Sequence, residues 1–299
     1  MNASQLTLEF LESLCPSAQP SAAHIDGSES APQVCHQAPT RVLHLDVALE
    51  QRVVEIRELP RAEVRLLEVL SRAELPIYIP AGLIFRGGKQ NRICAKPTLV
   101  MPGESREVPV NCVQHGRWSR GHTFGSTTSS PLSVTSRKLA REHTARKHRR
   151  DRTSDQRQVW SDVSELLQRK GVRSTTEDLT DHGEHTASTA DVEWTADVTG
   201  VVFRDKSARI AGAEFFGVPS LVERGVQQAL ASACLEFGPI RHLQAPMVQP
   251  LAKSQIRICR EVTEDHLTIV DFEMGDDLIG TAAVHAGCVL HAHLLPALA

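Results

Sequence analysis

Residues 83–118 read LIFRGGKQNRICAKPTLVMPGESREVPVNCVQHGRW, and this stretch decides the fold. LIF (83–85), ICAKPTLV (93–100) and REVPVNCV (106–113) are short runs rich in Val, Ile and Leu, the composition of strands. Gly87-Gly88, Pro102-Gly103 and Pro109 punctuate them at close intervals. Strands so short and so regularly interrupted predict an antiparallel sandwich or barrel. Parallel βαβ units would need helical stretches between the strands.

Toward the N-terminus, RVVEIRELP (52–60) alternates Val54 and Ile56 with Glu55 and Arg57, the period of a half-buried strand. AEVRLLEVL (62–70) and PIYIP (76–80) add two further β-prone runs, so a β-rich unit is expected over 41–130. Residues 1–40 are dominated by Ser, Ala, Pro and Gln, offer little apolar surface against the entropy of ordering, and are expected to form a poorly ordered tail. A short amphipathic helix near Leu6–Leu14 is the alternative for their first part.

Toward the C-terminus, GHTFGSTTSSPLSV (121–134) reads as a loop. Residues 131–155 form a basic loop: Arg137, Lys138, Arg141, Arg146, Lys147, Arg149, Arg150 and Arg152 are offset only by Glu142 and Asp151. Residues 156–299 then read as an α+β unit. Asp155 and Gln158 resemble a capping box, Trp160, Val163 and Leu167 mark one helical face, and Gly171 supplies a stop, giving a helix over 156–170. A hairpin follows over 198–216, then a helix over 219–237 opened by Pro219, and a terminal hairpin over 278–294 turning at Ala286-Gly287. The expected class is α+β: an N-terminal antiparallel β-rich sandwich or barrel-like unit packed with a C-terminal helix-and-hairpin unit.

The chain has 299 residues, 41% hydrophobic and 23% charged, which is ordinary for a globular protein. Its formal net charge of −3 gives no global attraction to nucleic acid or acidic lipid. No stretch approaches the roughly 18–20 apolar residues of a membrane span, and Glu9 and Glu12 interrupt the apolar patch at the N-terminus. Seven scattered cysteines do not form a disulfide framework, so a reducing, cytoplasmic setting is expected.

Two motifs could carry chemistry. In RGGKQNR (86–92) the glycines let backbone approach a ligand, while Lys89, Gln90 and Arg92 offer groups suited to phosphate or carboxylate oxygens. The spacing is not that of a P-loop, and a glycine turn with solvated polar residues fits the same pattern. In VPVNCVQHGRW (108–118), Cys112 could be a nucleophile with His115 as its base and Arg117 lowering its pKa, or a small buried hydrophobe. Arg117 beside Trp118 could flank a base or ribose, or close a core. His182, His185, His285, His291 and His293 could ligate metal, but no third and fourth ligand stands at a standard spacing, and no metal site is expected. His291 and His293 would share one face of the last strand.

RGGKQNR, VPVNCVQHGRW and SDQRQVW (154–160), in that order, resemble motifs of the ADP-ribosylglycohydrolase and rhodanese-phosphatase associated protein domain family. The 198–216 hairpin and the closing GTAAVHAGCVLHAHLL (280–295) are similar to its later elements, so the resemblance covers roughly 42–293. It implies a link to ADP-ribose or NAD metabolism without fixing an activity or a cofactor. It points to Gly88, Lys89, Gln90, Arg92, Cys112, Gly116, Arg117, Trp118, Gln156 and Trp160, and to His291 where the family tends to have histidine. Gln114 and Gln158 stand where the family usually has acids, and an amide at 114 cannot serve as a general base.

The resulting expectation is binding, with hydrolysis or transfer left open, of a phosphate-bearing small molecule such as ADP-ribose or an NAD derivative. Lys89 and Arg92 would neutralise phosphate, Gln90 would orient the ligand, and Cys112 or His115 would be the first candidates for chemistry. The alternatives are a non-catalytic interaction or structural module, and a nucleic-acid binder using the basic run 137–152, although that run lacks interleaved aromatics for base stacking.

Overall fold

Strand pairing in the computed structural model follows the alternation of the sequence, with side chains taking opposite faces residue by residue. The structure describes residues 2–14, 28–32, 40–60, 63–117, 121–132, 156–182, 198–204, 209–237 and 256–297, and positions 134, 135, 138, 139, 141 and 143. In chain order the elements are α1 (Ala3–Ser13), β1 (Ser28–Pro32), β2 (Leu43–His44), α2 (Leu45–Glu50), β3 (Val54–Glu58), β4 (Leu66–Ser71), β5 (Ile77–Ile79), β6 (Leu83–Gly87), β7 (Arg92–Cys94) and β8 (Thr98–Val100). They continue with β9 (Ser105–Cys112), β10 (Thr123–Ser129), α3 (Gln156–Arg169), β11 (Val198–Arg204), β12 (Ile210–Phe216), α4 (Pro219–Phe237), β13 (Ile256–Glu264), β14 (Leu267–Met274), β15 (Leu278–His285) and β16 (Cys288–Pro296).

Strands β10-β3-β4-β9-β7-β6 close into an antiparallel barrel filled by Ile56, Val69, Phe85, Cys94, Val108 and Val110. The period of two places Glu58, Arg92 and Cys112 on the same inward side as Ile56, Cys94 and Val110, so one end of the barrel interior is polar. The small sheet β2-β5-β8 forms a middle layer. Its Ile77, Ile79 and Val100 face the barrel core, while Tyr78 and Leu99 join the core beyond it.

That second core lies against the seven-stranded sheet β1-β11-β12-β16-β15-β14-β13. On one face, Phe10 and Leu11 of α1 pack onto Phe215, Phe272 and Leu294. On the other, Leu221, Val226 and Leu230 of α4 pack onto Val201, Phe203 and Phe216. Each such buried side chain contributes about 1.5–3 kcal/mol relative to exposure. Helix α3 covers the outside of the barrel, burying Val159, Val163 and Leu166 against Ile84, Ile93 and Val113.

The α+β class, with a barrel-forming β-rich N-terminal unit, is the one observed. Several local expectations are corrected. The first forty residues are not simply a tail: α1, opened by an Asn2 N-cap, packs Phe10 and Leu11 on a sheet core, and β1 pairs with β11. The loop expected at 121–134 contains β10, whose Thr- and Ser-rich outward face hides the alternation, and which closes the barrel through β3 and β6. ICAKPTLV is two strands in different sheets, parted at Ala95–Pro97. The basic stretch is not wholly a loop either, since positions 132, 134, 135, 138, 139, 141 and 143 are helical. Strands β13 and β14 were not anticipated, because IRICREVTE interleaves four charged residues with its apolar positions. Helix α3 ends at Arg169, while Asp155, offered as its cap, and the 205–208 hairpin turn lie outside the described residues.

Candidate functional site

The GGKQNR turn joins β6 to β7, and its backbone requires glycine. Gly87 and Gly88 have φ of 128° and 51°, and a Cβ on Gly88 would lie 2.2 Å from the Phe124 ring. Arg117 ties the turn down. Its Nη2 donates to the carbonyl of Gly87 (3.0 Å) and to Asn91 Oδ1 (3.2 Å), its Nη1 to the carbonyl of Gly88 (3.3 Å), and its Nε to Gln114 Oε1 (2.6 Å). Asn91 in turn donates to Asp178 Oδ2 (2.9 Å) and Thr180 Oγ1 (3.2 Å), so the turn is fastened to the segment after α3.

Below this turn lies the barrel's polar end. Arg92 is 0% exposed, and its guanidinium reaches Gln90 Oε1 (2.8 Å), Cys112 Sγ and Glu58 Oε1 (3.5 Å). Glu58 also accepts from the Lys89 backbone N–H at 3.0 Å. Gln90 is buried and donates to the His115 carbonyl at 3.3 Å. The Gln156 side-chain amide pairs with the Cys112 backbone in both directions, each bond 2.8 Å.

The structure brings Gly88, Lys89, Gln90, Arg92, Cys112, Arg117 and Gln156 together at one end of the barrel, and the bonds of Arg92, Gln90, Arg117 and Gln156 turn inward. Burial pushes the Cys112 thiol up to about 11, with Arg92 opposing and Glu58 reinforcing the shift, so no thiolate is present near neutral pH. His115 does not act on it. The imidazole instead faces Glu177 Oε2 (3.3 Å) and meets the Trp160 ring edge-on at 4.4 Å. Trp118 lies outside the described residues.

His291 stands apart, on the seven-stranded sheet. Register sets Glu214, His293, Thr281, Asp271 and Arg260 side by side across five neighbouring strands, with His291 two positions along from His293. His291 is held at both ring nitrogens: Nδ1 lies 3.0 Å from the Tyr78 hydroxyl and Nε2 lies 2.5 Å from Glu214 Oε2. Phe216 stacks on the ring at 4.6 Å. Tyr78 is fully buried and its phenol is pushed well above its ordinary pKa, first by burial and then by the Glu214 charge, so it stays protonated. An imidazole fixed between a phenol and a carboxylate can relay a proton without moving. The donor atoms of Glu214, His291 and His293 all lie within 4.8 Å of one another, the one grouping among the described residues that could hold a metal.

Two pockets flank the histidine pair. One is lined by Glu214 and His291 with Gly82, Ser129, Gln228 and Ser232. The other is lined by His293, Thr281, Asp271, Lys96 and Arg260. Nearby, the buried His44 is held down to about 4, chiefly by desolvation, with Asp46 opposing and His291 adding to it. Sequence reasoning missed Glu214, Tyr78 and His44. A signal for the first was present, a lone acid in the apolar strand IAGAEFF.

The family described as ARG and Rhodanese-Phosphatase-superfamily-associated Protein domain matches residues 31–269. The chain belongs to this family. Comparison with curated proteins gave no match, and comparison with solved structures gave none. The ARG and rhodanese-phosphatase-associated span takes in the barrel, α3 and Glu214, and it ends before β15, so His291 and His293 stand beyond it. Among the described residues, no helix is long and apolar enough to cross a membrane. Of the basic run, Lys138 is buried and donates to the Ala95 carbonyl at 2.6 Å, and Arg141 pairs with Asp162; the positions from 144 to 152 lie outside the described residues.

Proposed function

We propose that this protein binds a phosphate-bearing small molecule of the ADP-ribose or NAD-derivative class in the pocket walled by Glu214 and His291, with the GGKQNR turn as structural support rather than ligand cradle. The observation that carries the reading is the buried phenol–imidazole–carboxylate chain ending at a pocket that opens to solvent. Glu214 can accept from ribose hydroxyls. The Ser129 and Ser232 hydroxyls already donate to the carbonyls of Gln228 and Ser130, so their lone pairs face incoming donors. Across the histidine pair, Lys96 and Arg260 line the neighbouring pocket together with Asp271 and with Glu264, which pairs with Lys96. The family's association with ADP-ribosylglycohydrolase supports the ligand class.

A second reading, a non-catalytic interaction or structural module, draws on the inward bonding of Arg92 and Arg117. Nucleic-acid binding through 137–152 draws no support from Lys138 and Arg141, whose charged groups are engaged inside the protein.

A thermal-shift panel with ADP-ribose, NAD, nicotinamide mononucleotide and inorganic phosphate separates these readings. A ligand at about 100 times its Kd adds roughly 2.7 kcal/mol to the native state. The proposal expects a shift with wild type and Lys89→Ala, and its loss in a folded Glu214→Gln variant. Loss in Lys89→Ala alone would return the site to the turn, and no shift with any compound would favour the interaction module.

A further inference from the structure

We propose that Glu214, His291 and His293 bind one divalent transition-metal ion of the Zn2+ type. Two imidazoles and one carboxylate are a donor set suited to such ions, and three protein ligands leave coordination positions for solvent or ligand. Metal–ligand bonds of about 2.0–2.2 Å place neighbouring donors about 3–4 Å apart. The three donors here lie within 4.8 Å of one another, so small side-chain rotations suffice.

Three independent features favour an ion. First, backbone register fixes the set: Glu214 sits directly opposite His293, and His291 shares their face of the sheet. Second, the Tyr78 hydroxyl engages Nδ1 of His291, leaving Nε2 for the ion, which is the outer-sphere arrangement that orients metal-bound histidines. Third, Nε2 of His291 and Oε2 of Glu214 converge to 2.5 Å, so the two donor atoms already aim at a common point. The histidines are buried, while the flanking pockets supply a route in.

This site is the wall assigned above to the small molecule, so the inference is tested with no phosphate compound present. The full chain, stripped of metal, carries Cys259→Ser and Cys288→Ser to remove the two partly exposed thiols among the described residues, together with Cys15→Ser and Cys35→Ser. It is titrated with Zn2+ by calorimetry and with Co2+ by visible absorption. The expected result is one ion per chain, d–d bands without thiolate charge transfer, and at least tenfold weaker binding in Glu214→Gln and His293→Gln, with His285→Asn unchanged. Imidazole NMR on that same cysteine-substituted chain, its histidines intact, gives a readout that does not depend on those variants folding: Zn2+ should perturb the ring nitrogens of His291 and His293 and leave those of His285 alone.

Absence of binding, equal binding in both folded variants, or perturbation of other histidines only would overturn the site. Zn2+ binding without any ADP-ribose shift would remove the proposed function alone. An ADP-ribose shift in a chain that takes up no metal would remove this inference alone.

Discussion

The turn at one end of the barrel and the polar row on the seven-stranded sheet are both dense in polar side chains, and they differ in where those groups point. Around Gly87–Arg92, the described hydrogen bonds of Arg92, Gln90 and Arg117 end on backbone or side chains within the same network. Around His291 the chain of bonds ends on Glu214, which borders open space. The first arrangement resists rearrangement because a buried polar group that loses its partner is costly. The second keeps acceptor capacity for something that enters. On the function proposed above, motif density in the sequence marks a fastening, and the sparser histidine pattern marks the binding surface.

The contrast can be broken most forcefully at Arg92. Arg92→Met leaves Glu58 and Gln90 buried without their cation, and the expected loss is about 3–5 kcal/mol in urea unfolding. Ligand and metal responses of the remaining folded protein should be unchanged, and an unchanged stability would show that the barrel end is not held by this network.

A somewhat smaller effect belongs to His44 beside the polar row. Its folded pKa of about 4 lies below the ordinary 6.5, so the unfolded chain binds more protons between those values. Stability is therefore full above about pH 6.5 and falls as pH drops toward 4, by up to about 3 kcal/mol. Urea midpoints measured across that window should show the fall, and a folded His44→Asn variant should flatten it.

Smaller again is Gln156. Replacing it with Leu removes both bonds to the Cys112 backbone, leaving an N–H and a carbonyl unpaired, at a cost of about 1–3 kcal/mol. Chemical denaturation reads this directly. The slightest effect on stability, with the clearest chemical readout, is at the thiols. Iodoacetamide at pH 7.5 should label Cys259 and Cys288 in the native chain and spare Cys112, because its thiol is buried and pushed up to about 11. Labelling of Cys112 at a rate like that of the other two would reopen its candidacy as a nucleophile.

Much of the barrel was legible because its strands alternate or carry β-branched runs between Gly and Pro breaks, as at Val54–Glu58 and Ser105–Cys112. Strand β10 was not, since Thr and Ser fill its exposed face and its burial comes from closure with distant strands. The motifs holding Lys89, Arg92, Cys112 and Gln156 were legible, while their meeting at one barrel end comes from strand pairing between β7 and β9 and from the Gln156 bonds to the Cys112 backbone. The direction of their hydrogen bonds was not legible, because the same guanidinium can meet a phosphate or a buried glutamate, and only three-dimensional register places Glu58 beside Arg92. The Glu214–His291–His293 set was half visible: period two paired the histidines, while the carboxylate arrives from a strand 77 positions before His291.

The most direct test of the division between fastening and site is a crystal structure with whichever compound of the thermal-shift panel stabilises the protein most. The account predicts density for that compound beside Glu214 and His291, with the Gly87–Arg92 turn and its bonds to Arg117 unaltered. Density lying on Lys89 and Arg92, with the Arg117 bonds broken to receive it, would contradict the account.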